Sequence, residues 1–463
     1  MRRRGDPVLA AVAAALATCA TDVPRSARAA GAPLRVAAAL SGGRDSMVLL
    51  DVLAQLGPAC GVALAAVHVD HGLSPNAGAW AEFCSAECAQ RGVPLTVHKV
   101  AVKHSGRTGL EAAARDARHK VFEAIDADFV VLGHHADDQA ETLLLQLLRG
   151  AGPHGLAAMP PRNARRPGPT LLRPFLALPG AALEAYARAR GLAWVDDESN
   201  ADVALRRNFL RHEIAPRLAG AFPGYPATLV RAAAHQAEAA RLADELAALD
   251  ACDALVVDDA AGEMLDRGAF SQLAATAPHR ARNLLRWFLH RQGLRAPSAA
   301  RLAAMQRQLA RASDDARVRL AHDGVELGVH RGHIVVHAPA VAPFALPWRG
   351  EMNLALPHGT LEFTPTPGTG LATAVLAHGP IIVRPRAGGE RIRLAGDRPR
   401  QALKRLLQSA GMPAWQRDAL PLVWCGDALA AVPGIGVDIA FTAAADAPGC
   451  DVRWHPTAGL HRT

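Results

Sequence analysis

The chain has 463 residues, half of them apolar and a fifth charged, too long for one compact core, which sets an expectation of about three domains of roughly 100 to 200 residues. No apolar run reaches the roughly 18 residues that a bilayer crossing needs, so no membrane span is expected. Seven scattered cysteines without a CxxC pair point to a reduced, cytoplasmic protein lacking a structural zinc or iron–sulfur site. The formal charge of +8 rests on arginine, since lysine occurs only at Lys99, Lys103, Lys120 and Lys404. The positive sign favours a polyanionic partner, while the excess of Arg over Lys is equally the mark of a GC-rich genome.

After Met1-Arg-Arg-Arg an Ala-rich apolar stretch runs to Ala20. It imitates a signal peptide, but Val8, Val12 and Leu16 recur at helical spacing and a strand begins soon afterwards, so a packed lead-in helix is expected. From Leu34 to about Leu132 short apolar runs alternate with helical patterns, as in βαβ units around a parallel sheet. Strands are expected at Leu34–Leu40, Val62–Val69, Pro94–Val100 and Asp128–Leu132, followed respectively by the segments Ser41–Ser46, Asp70–Asn76, Lys103–Gly109 and His134–Asp138. In an open parallel sheet such loops share one edge, where ligands bind. Cys84 and Cys88, four apart on a helix, read as two buried small side chains.

Beyond Gly150 the Pro/Arg-rich stretch Pro153–Pro169 reads as a mobile loop. A short helix over Gly180–Arg190 and a polar turn over Asp196–Asp202 follow. Thr228–Leu249 reads as an exposed helix linking two domains, then come a helical middle domain to His337, the Pro-punctuated stretch Ala338–Gly368 and a last domain. The expected division is a catalytic domain over 1–220, a helical linker and middle domain over 221–340, a linker region over 341–370 and a C-terminal domain over 371–463. No internal repeat is present.

Four motifs carry chemistry. Ser41-Gly-Gly-Arg-Asp-Ser46 stands between a strand and a helical run; its glycines let backbone N–H groups approach a phosphate, the helix start adds partial positive charge, and the two serines add hydroxyls. No lysine follows a glycine, so a Walker-type loop is excluded. In Gly133-His-His-Ala-Asp-Asp-Gln-Ala-Glu-Thr142, Asp138 and Glu141 are three apart at a helix start. That spacing suits Mg²⁺ or a substrate ammonium, and equally a helix-capping box with an Asp cap. His134 and His135 face phosphate or close the turn. Gly109–Arg118 puts Glu111, Arg115 and Arg118 on one helix face, either as an i,i+4 ion pair or with Arg115 on phosphate. After Trp194–Asp202, Arg207 and Arg211 lie one helical turn apart beside Asn208, where they clamp an anion or mark a solvated helix end.

The loop SGGRDS resembles that of the N-type ATP pyrophosphatases, which cleave ATP between the α and β phosphates. All four motifs in this order, with Val67-His-Val-Asp-His-Gly-Leu73 among them, resemble the N-terminal domain of the tRNA(Ile)-lysidine synthases. Val383–Arg393, Leu403–Leu407, Pro413–Leu422 and Val432–Gly436 are similar to that family's tRNA-binding C-terminal domain, and eight cations stand against Glu390 and Asp397 between Arg384 and Arg405. The likeness runs from about Leu34 to Asp438, weakest over the middle domain and Ala338–Gly368. His119 departs from it, standing where the family has an aromatic Tyr.

The resemblance implies an α/β fold: a parallel-sheet, Rossmann-like PP-loop ATPase domain, a helical middle domain and a small α+β C-terminal domain. It implies ATP held by Ser41, Gly42, Gly43, Arg44, Asp45, Ser46 and His134, and Mg²⁺ on Asp45 and Asp138. Asp45, Asp138, Glu141, Arg115 and Arg207 are the implied catalytic residues. Arg211, Arg384, Arg386, Arg391, Arg393, Lys404 and Arg405 are the implied tRNA contacts. The implied partners are tRNA(Ile) with a CAU anticodon and free L-lysine, with no membrane and with a homodimer left open. A 2-thiocytidine-type tRNA thiolase is the enzymatic alternative, normally with a CxxC that this chain lacks. An idle tRNA-binding protein is the other, against which intact Asp45, Asp138 and Glu141 speak.

Overall fold

The computed structural model describes residues 6–22, 32–102, 109–164, 168–258, 262–313, 318–377, 379–396 and 399–456. The expected loop over Lys103–Gly109 lies, except for Gly109, outside the described residues, as does Asp397. The chain divides into two compact units, Met1–Leu242 and Ala243–Thr463.

In the first unit, α1 (Pro7–Asp22) precedes β1 (Leu34–Leu40), α2 (Arg44–Leu56), β2 (Val62–Asp70), α3 (Ala77–Gln90), β3 (Leu95–Lys99), α4 (Leu110–Glu123), β4 (Phe129–Val131) and α5 (Ala136–Leu147). Then come α6 (Pro153–Leu156), β5 (Arg162–Asn163), β6 (Thr170–Leu172), α7 (Gly180–Ala189), α8 (Arg206–Phe209), a π-turn (Leu210–Ile214), α9 (Ala215–Ala221) and α10 (Tyr225–Ala254). The strands form one sheet of order β3-β2-β1-β4-β6-β5, parallel except for the β5–β6 pair. The chain steps from β1 outward to β2 and β3 and then returns to the other side of β1 with β4, so the switch point lies between β1 and β4. The loops after those two strands carry the first two motifs.

Alternation along β1 explains the layering. Val36, Ala38 and Leu40 face a core with α1, α2, α3 and α7, in which Val8, Val12 and Leu16 anchor α1 and Cys84 and Cys88 are buried. Ala37 faces a smaller core with Phe122 of α4 and Val130 of β4. Both faces are thus covered, as parallel sheets require. Within Pro153–Pro169, expected to be a loop, the described residues include regular elements. These are α6 and β5, the latter paired with the sheet edge that β6 offers.

The second unit begins with the end of α10 and holds β7 (Leu255–Asp258), β8 (Gly262–Asp266), α11 (Arg267–Thr276), α12 (Pro278–Arg291), α13 (Ala299–Arg311), β9 (Leu320–His322), β10 (Val325–His330) and β11 (His333–His337). Helices were expected here. The five-stranded sheet of order β7-β8-β11-β10-β9 was not; it shares the helices' core through Leu265, Leu327 and Ile334. The rest is mostly strands: β12 (Leu346–Trp348), β13 (Asn353–Leu356), β14 (Gly359–Pro367), β15 (Leu371–Ala372), β16 (Ile381–Pro385), β17 (Arg391–Ile392) and β18 (Gln401–Ala402). The helices α14 (Leu403–Ser409) and α15 (Ala414–Ala419) precede β19 (Pro421–Cys425), β20 (Ala428–Val432), β21 (Gly436–Val437) and β22 (Pro448–Pro456). Two sheets, β12-β16-β19-β20-β21 and β13-β14-β22-β15, enclose a core that includes Trp348, Phe363 and Val423.

Candidate active site

The loop after β1 folds on itself before any ligand is considered. Gly42 adopts φ +85, and a Cβ there would lie 2.6 Å from Val195 Cγ2, so the turn needs glycine for both conformation and space. The Ser46 hydroxyl donates to the Gly43 carbonyl at 2.7 Å, and Ser41 Oγ accepts from the Gly43 amide at 3.3 Å. Both serines therefore shape the loop. Gly43 caps α2 without any side-chain hydrogen bond, which leaves first-turn amides of the helix facing the switch point, a ready anion site. Gly133, at the end of β4, approaches so closely that a Cβ would lie 2.8 Å from the Asp45 carbonyl oxygen.

His135, rather than an Asp, caps α5, and its amide donates to Asp138 Oδ2 at 3.0 Å. Its ring is the centre of the site. Nε2 lies 3.4 Å from Asp45 Oδ2 and 3.6 Å from Asp138 Oδ2, and Nδ1 lies 3.1 Å from Asp137 Oδ2. Burial alone would lower its pKa, but hydrogen bonds to Asp137 and Asp45 and the charge of Asp138 prevail and push it up to about 10. Nδ1 thus donates to the Asp137 carboxylate, and the Asp137 amide 3.3 Å away is a neighbour rather than a donor to it. Asp137 in turn accepts the Gly180 amide at 2.7 Å. Against the cost of burial, His135 and Arg44 hold Asp45 below its ordinary value, and Arg44 Nε pairs with Asp45 Oδ1 at 2.9 Å.

Arg207 and Arg211 clamp an anion, and in this structure the anion is the acidic pair itself. Arg207 Nε meets Glu141 Oε2 at 2.7 Å and its Nη2 meets Asp138 Oδ1 at 2.9 Å. Arg211 Nε meets Glu141 Oε1 at 2.7 Å and its Nη2 meets Asp138 Oδ1 at 3.1 Å. Arg211 lies in the π-turn, where the Ala215 amide reaches back to Leu210, and Pro216, which follows, has no N–H to donate. Asn208 is spent locally, donating to the Ser199 and Asp202 carbonyls.

A second group centres on His134 and the cations near it. Burial pushes its pKa down to about 3, opposed by Asp138 and reinforced by Arg173, Arg207 and Arg118. Its Nδ1 is buried without a hydrogen-bond partner, as is Nδ1 of His71, whose pKa is lowered by burial and by Arg118. Arg118 of the third motif therefore acts on this group, while Arg115 is exposed on α4. His119 packs edge-on against Phe122. The side chain of Glu111 lies outside the described residues.

These residues suit a nucleotide: uncapped amides, hydroxyl-shaped glycines and an enclosed ring nitrogen with no protein partner. Among the described residues no three His, Cys, Asp or Glu side chains are grouped to hold a metal. Asp45 and Asp138 do flank one atom, His135 Nε2, and two carboxylates are the usual protein share of a Mg²⁺ that also sits on phosphates.

The six C-terminal cations lie in the second unit. Arg384, Arg391, Lys404 and Arg405 are exposed, with Arg384 stacked 4.3 Å over Trp424 and Arg391 donating to the Arg400 carbonyl. Arg386 pairs with buried Glu390 at 3.3 Å, and the backbone amide of Arg393 donates to Asp438 at 2.9 Å. Sequence reading passed over the central place of His135, Asp137 and Gly180. The one visible signal was a His directly before the acidic helix start, a position favoured by capping residues.

The chain is similar to known proteins along most of its length. Residues 22–218 match a family described as PP-loop domain, 269–335 the TilS substrate binding domain and 381–454 the TilS substrate C-terminal domain. A tRNA(Ile)-lysidine synthase of Nitrosomonas europaea is 41% identical over 433 residues, covering 91% of this chain and 92% of that protein. Another from Azoarcus sp. is 42% identical over 443 residues, covering 94% and 95%. A solved U34-tRNA thiolase from Methanococcus maripaludis covers 46% of this chain and 74% of that one, at 17% identity and a TM-score of 0.40. With a PP-loop crevice and both TilS domains in one chain, and relatives of that identity matched almost end to end, the protein belongs to the tRNA(Ile)-lysidine synthase family.

Proposed function

We propose that this chain uses ATP to adenylate the C2 carbonyl oxygen of the wobble cytidine in the CAU anticodon of tRNA(Ile). The ε-amine of free lysine then attacks C2, giving lysidine, AMP and pyrophosphate. The cytidine oxygen is a poor leaving group, and joining it to the α-phosphate with loss of pyrophosphate turns it into AMP. The observation that carries the reading is the convergence of the β1–α2 loop with Asp45, Asp138 and Glu141 at the switch point, in a chain with both TilS domains.

The first-turn amides of α2 bind phosphate, and the Arg118 and Arg207 charges beside His134 offset the negative charge that develops there. Asp138 and Glu141 attract the lysine ammonium, and a carboxylate there orients the amine and accepts its proton. Arg207 and Arg211 pair with these carboxylates, so the arginines exchange partners when substrate enters. Asp45 and Asp138 would hold Mg²⁺, which supplies charge neutralisation on the phosphates. The exposed Arg384, Arg391, Lys404 and Arg405 fit the phosphate backbone of the tRNA.

The test is ATP labelled at the α-phosphate, mixed with a CAU transcript in the absence of lysine. Label should pass to the RNA and leave as AMP when lysine is added. Pyrophosphate release without labelled RNA would contradict the reading, and release of AMP by sulfide instead of lysine would favour the thiolase.

A further inference from the structure

We propose that Asp51 and Tyr186 are positioning residues for the adenylation step, forming a buried latch that fixes α7 against α2 and so keeps both halves of the crevice in register. The proposal rests on the function given above.

Asp51 sits in the middle of α2, between Leu50 and Val52, and is buried. Its Oδ2 accepts the Tyr186 hydroxyl at 2.8 Å, Gln55 Nε2 at 2.7 Å and Arg190 Nε at 3.2 Å. Arg91 Nε lies 3.7 Å from Oδ1. A leucine would fill the same place without the desolvation cost of a carboxylate. What the carboxylate adds is direction, since its partners come from α2, from α7 and its C-cap, and from the residue after α3. Burial and the bond to Asp51 push the Tyr186 pKa up to about 12, so its hydroxyl remains a donor.

The segment so fixed touches the crevice at two points. At the first residue of α7 the Gly180 amide donates to Asp137 Oδ2 at 2.7 Å, the carboxylate that holds His135. Past its end, the Val195 amide donates to the Gly42 carbonyl at 3.0 Å, and the Val195 side chain fills the space beside that glycine. One rigid segment thus braces the loop after β1 and the turn after β4. Tyr186 pins it between the two contacts, and small displacements of phosphate-binding backbone are costly to catalysis.

The experiment compares Tyr186→Phe with Val93→Ala, a buried change in the same core at a side chain that has no polar atom to bond Asp51. Both are assayed well below their melting temperatures for ATP Kd, AMP release and tRNA Kd. Tyr186→Phe should raise the ATP Kd and lower AMP release by about tenfold, the size of one hydrogen bond to a charged group, and leave the tRNA Kd unchanged. Val93→Ala should lose melting temperature while keeping the wild-type ATP Kd. Wild-type ATP Kd and AMP release in Tyr186→Phe would overturn the proposal, as would an equal rise in Val93→Ala at equal loss of stability. If Tyr186→Phe does not fold, Arg190→Gln removes a half-exposed partner of the same carboxylate; a raised ATP Kd supports the latch and an unchanged one overturns it. A wild-type protein that binds ATP but never labels tRNA would count against the function above, while the ATP Kd still judges the latch.

Discussion

Gly180→Ala sets two effects of known sign against each other. Alanine for glycine in a helix ordinarily stabilises by about 0.5–1 kcal/mol. Here the new methyl would lie 2.9 Å from Asp137 Oδ2 and 3.0 Å from His135 Cε1. To restore ordinary contact the carboxylate must retreat by roughly half an ångström, which stretches the 2.7 Å bond from the Gly180 amide to the limit of hydrogen-bond range. A hydrogen bond to a charged group is worth about 1.5–3 kcal/mol, so the net expectation is a loss of about 1–2 kcal/mol. In a unit of this size that lowers the melting temperature by roughly 2–8 °C. Because Asp137 also holds His135, AMP release should fall as well. Calorimetry and an AMP assay on the same preparation check both parts. A variant that melts at or above wild type and releases AMP normally would refute the reasoning.

Asp45→Ala should abolish AMP formation while leaving the tRNA Kd unchanged, because the exposed cations Arg384, Arg391, Lys404 and Arg405 belong to the second unit; a filter-binding assay beside the AMP assay decides it. Glu141→Gln leaves Arg207 and Arg211 with one carboxylate between them. It should cost about 2 kcal/mol by denaturant titration, less than a fully buried pair because Arg211 is partly exposed. In nucleotide- and metal-free protein, His135 titrates near 10 when folded and near its ordinary 6.5 when unfolded. Its stabilising contribution is therefore complete below about pH 6.5 and lost as pH rises towards 10; His135→Asn should flatten that fall in melting temperature. Trp415 of α15 stacks on His337 with ring centroids 4.3 Å apart and planes 4° from parallel. Trp415→Ala should destabilise the second unit by about 2 kcal/mol and leave the ATP Kd unchanged.

The core of the catalytic fold was legible because its signals are local. The runs at Leu34 and Val62 are apolar, bounded by polar loops, and become β1 and β2 with ends within a residue of expectation. Parallel strands put their loops on one edge, so motifs a hundred residues apart could be brought together on paper. The short strands were hidden. β5 has two residues in an Arg- and Pro-rich stretch, and it is a strand only because β6 lies beside it. β10 and β11 form through pairing across a tight turn at Arg331 and Gly332, which propensity registers weakly. At the site, residue types pointed to Asp45, Asp138 and Glu141, but not to what each one faces. That Arg207 and Arg211 close on Asp138 and Glu141 is a contact made about seventy residues along the chain, and the hydroxyl that Asp51 accepts comes from Tyr186, 135 residues later.

The most direct measurement is incorporation of radiolabelled lysine into a CAU-anticodon isoleucine tRNA transcript with ATP and Mg²⁺, with AMP counted in parallel and a methionine tRNA as control. Label in the isoleucine tRNA alone, matched mole for mole by AMP, is the predicted result. AMP without label, or label in neither tRNA, would contradict the assignment of this crevice to lysidine formation.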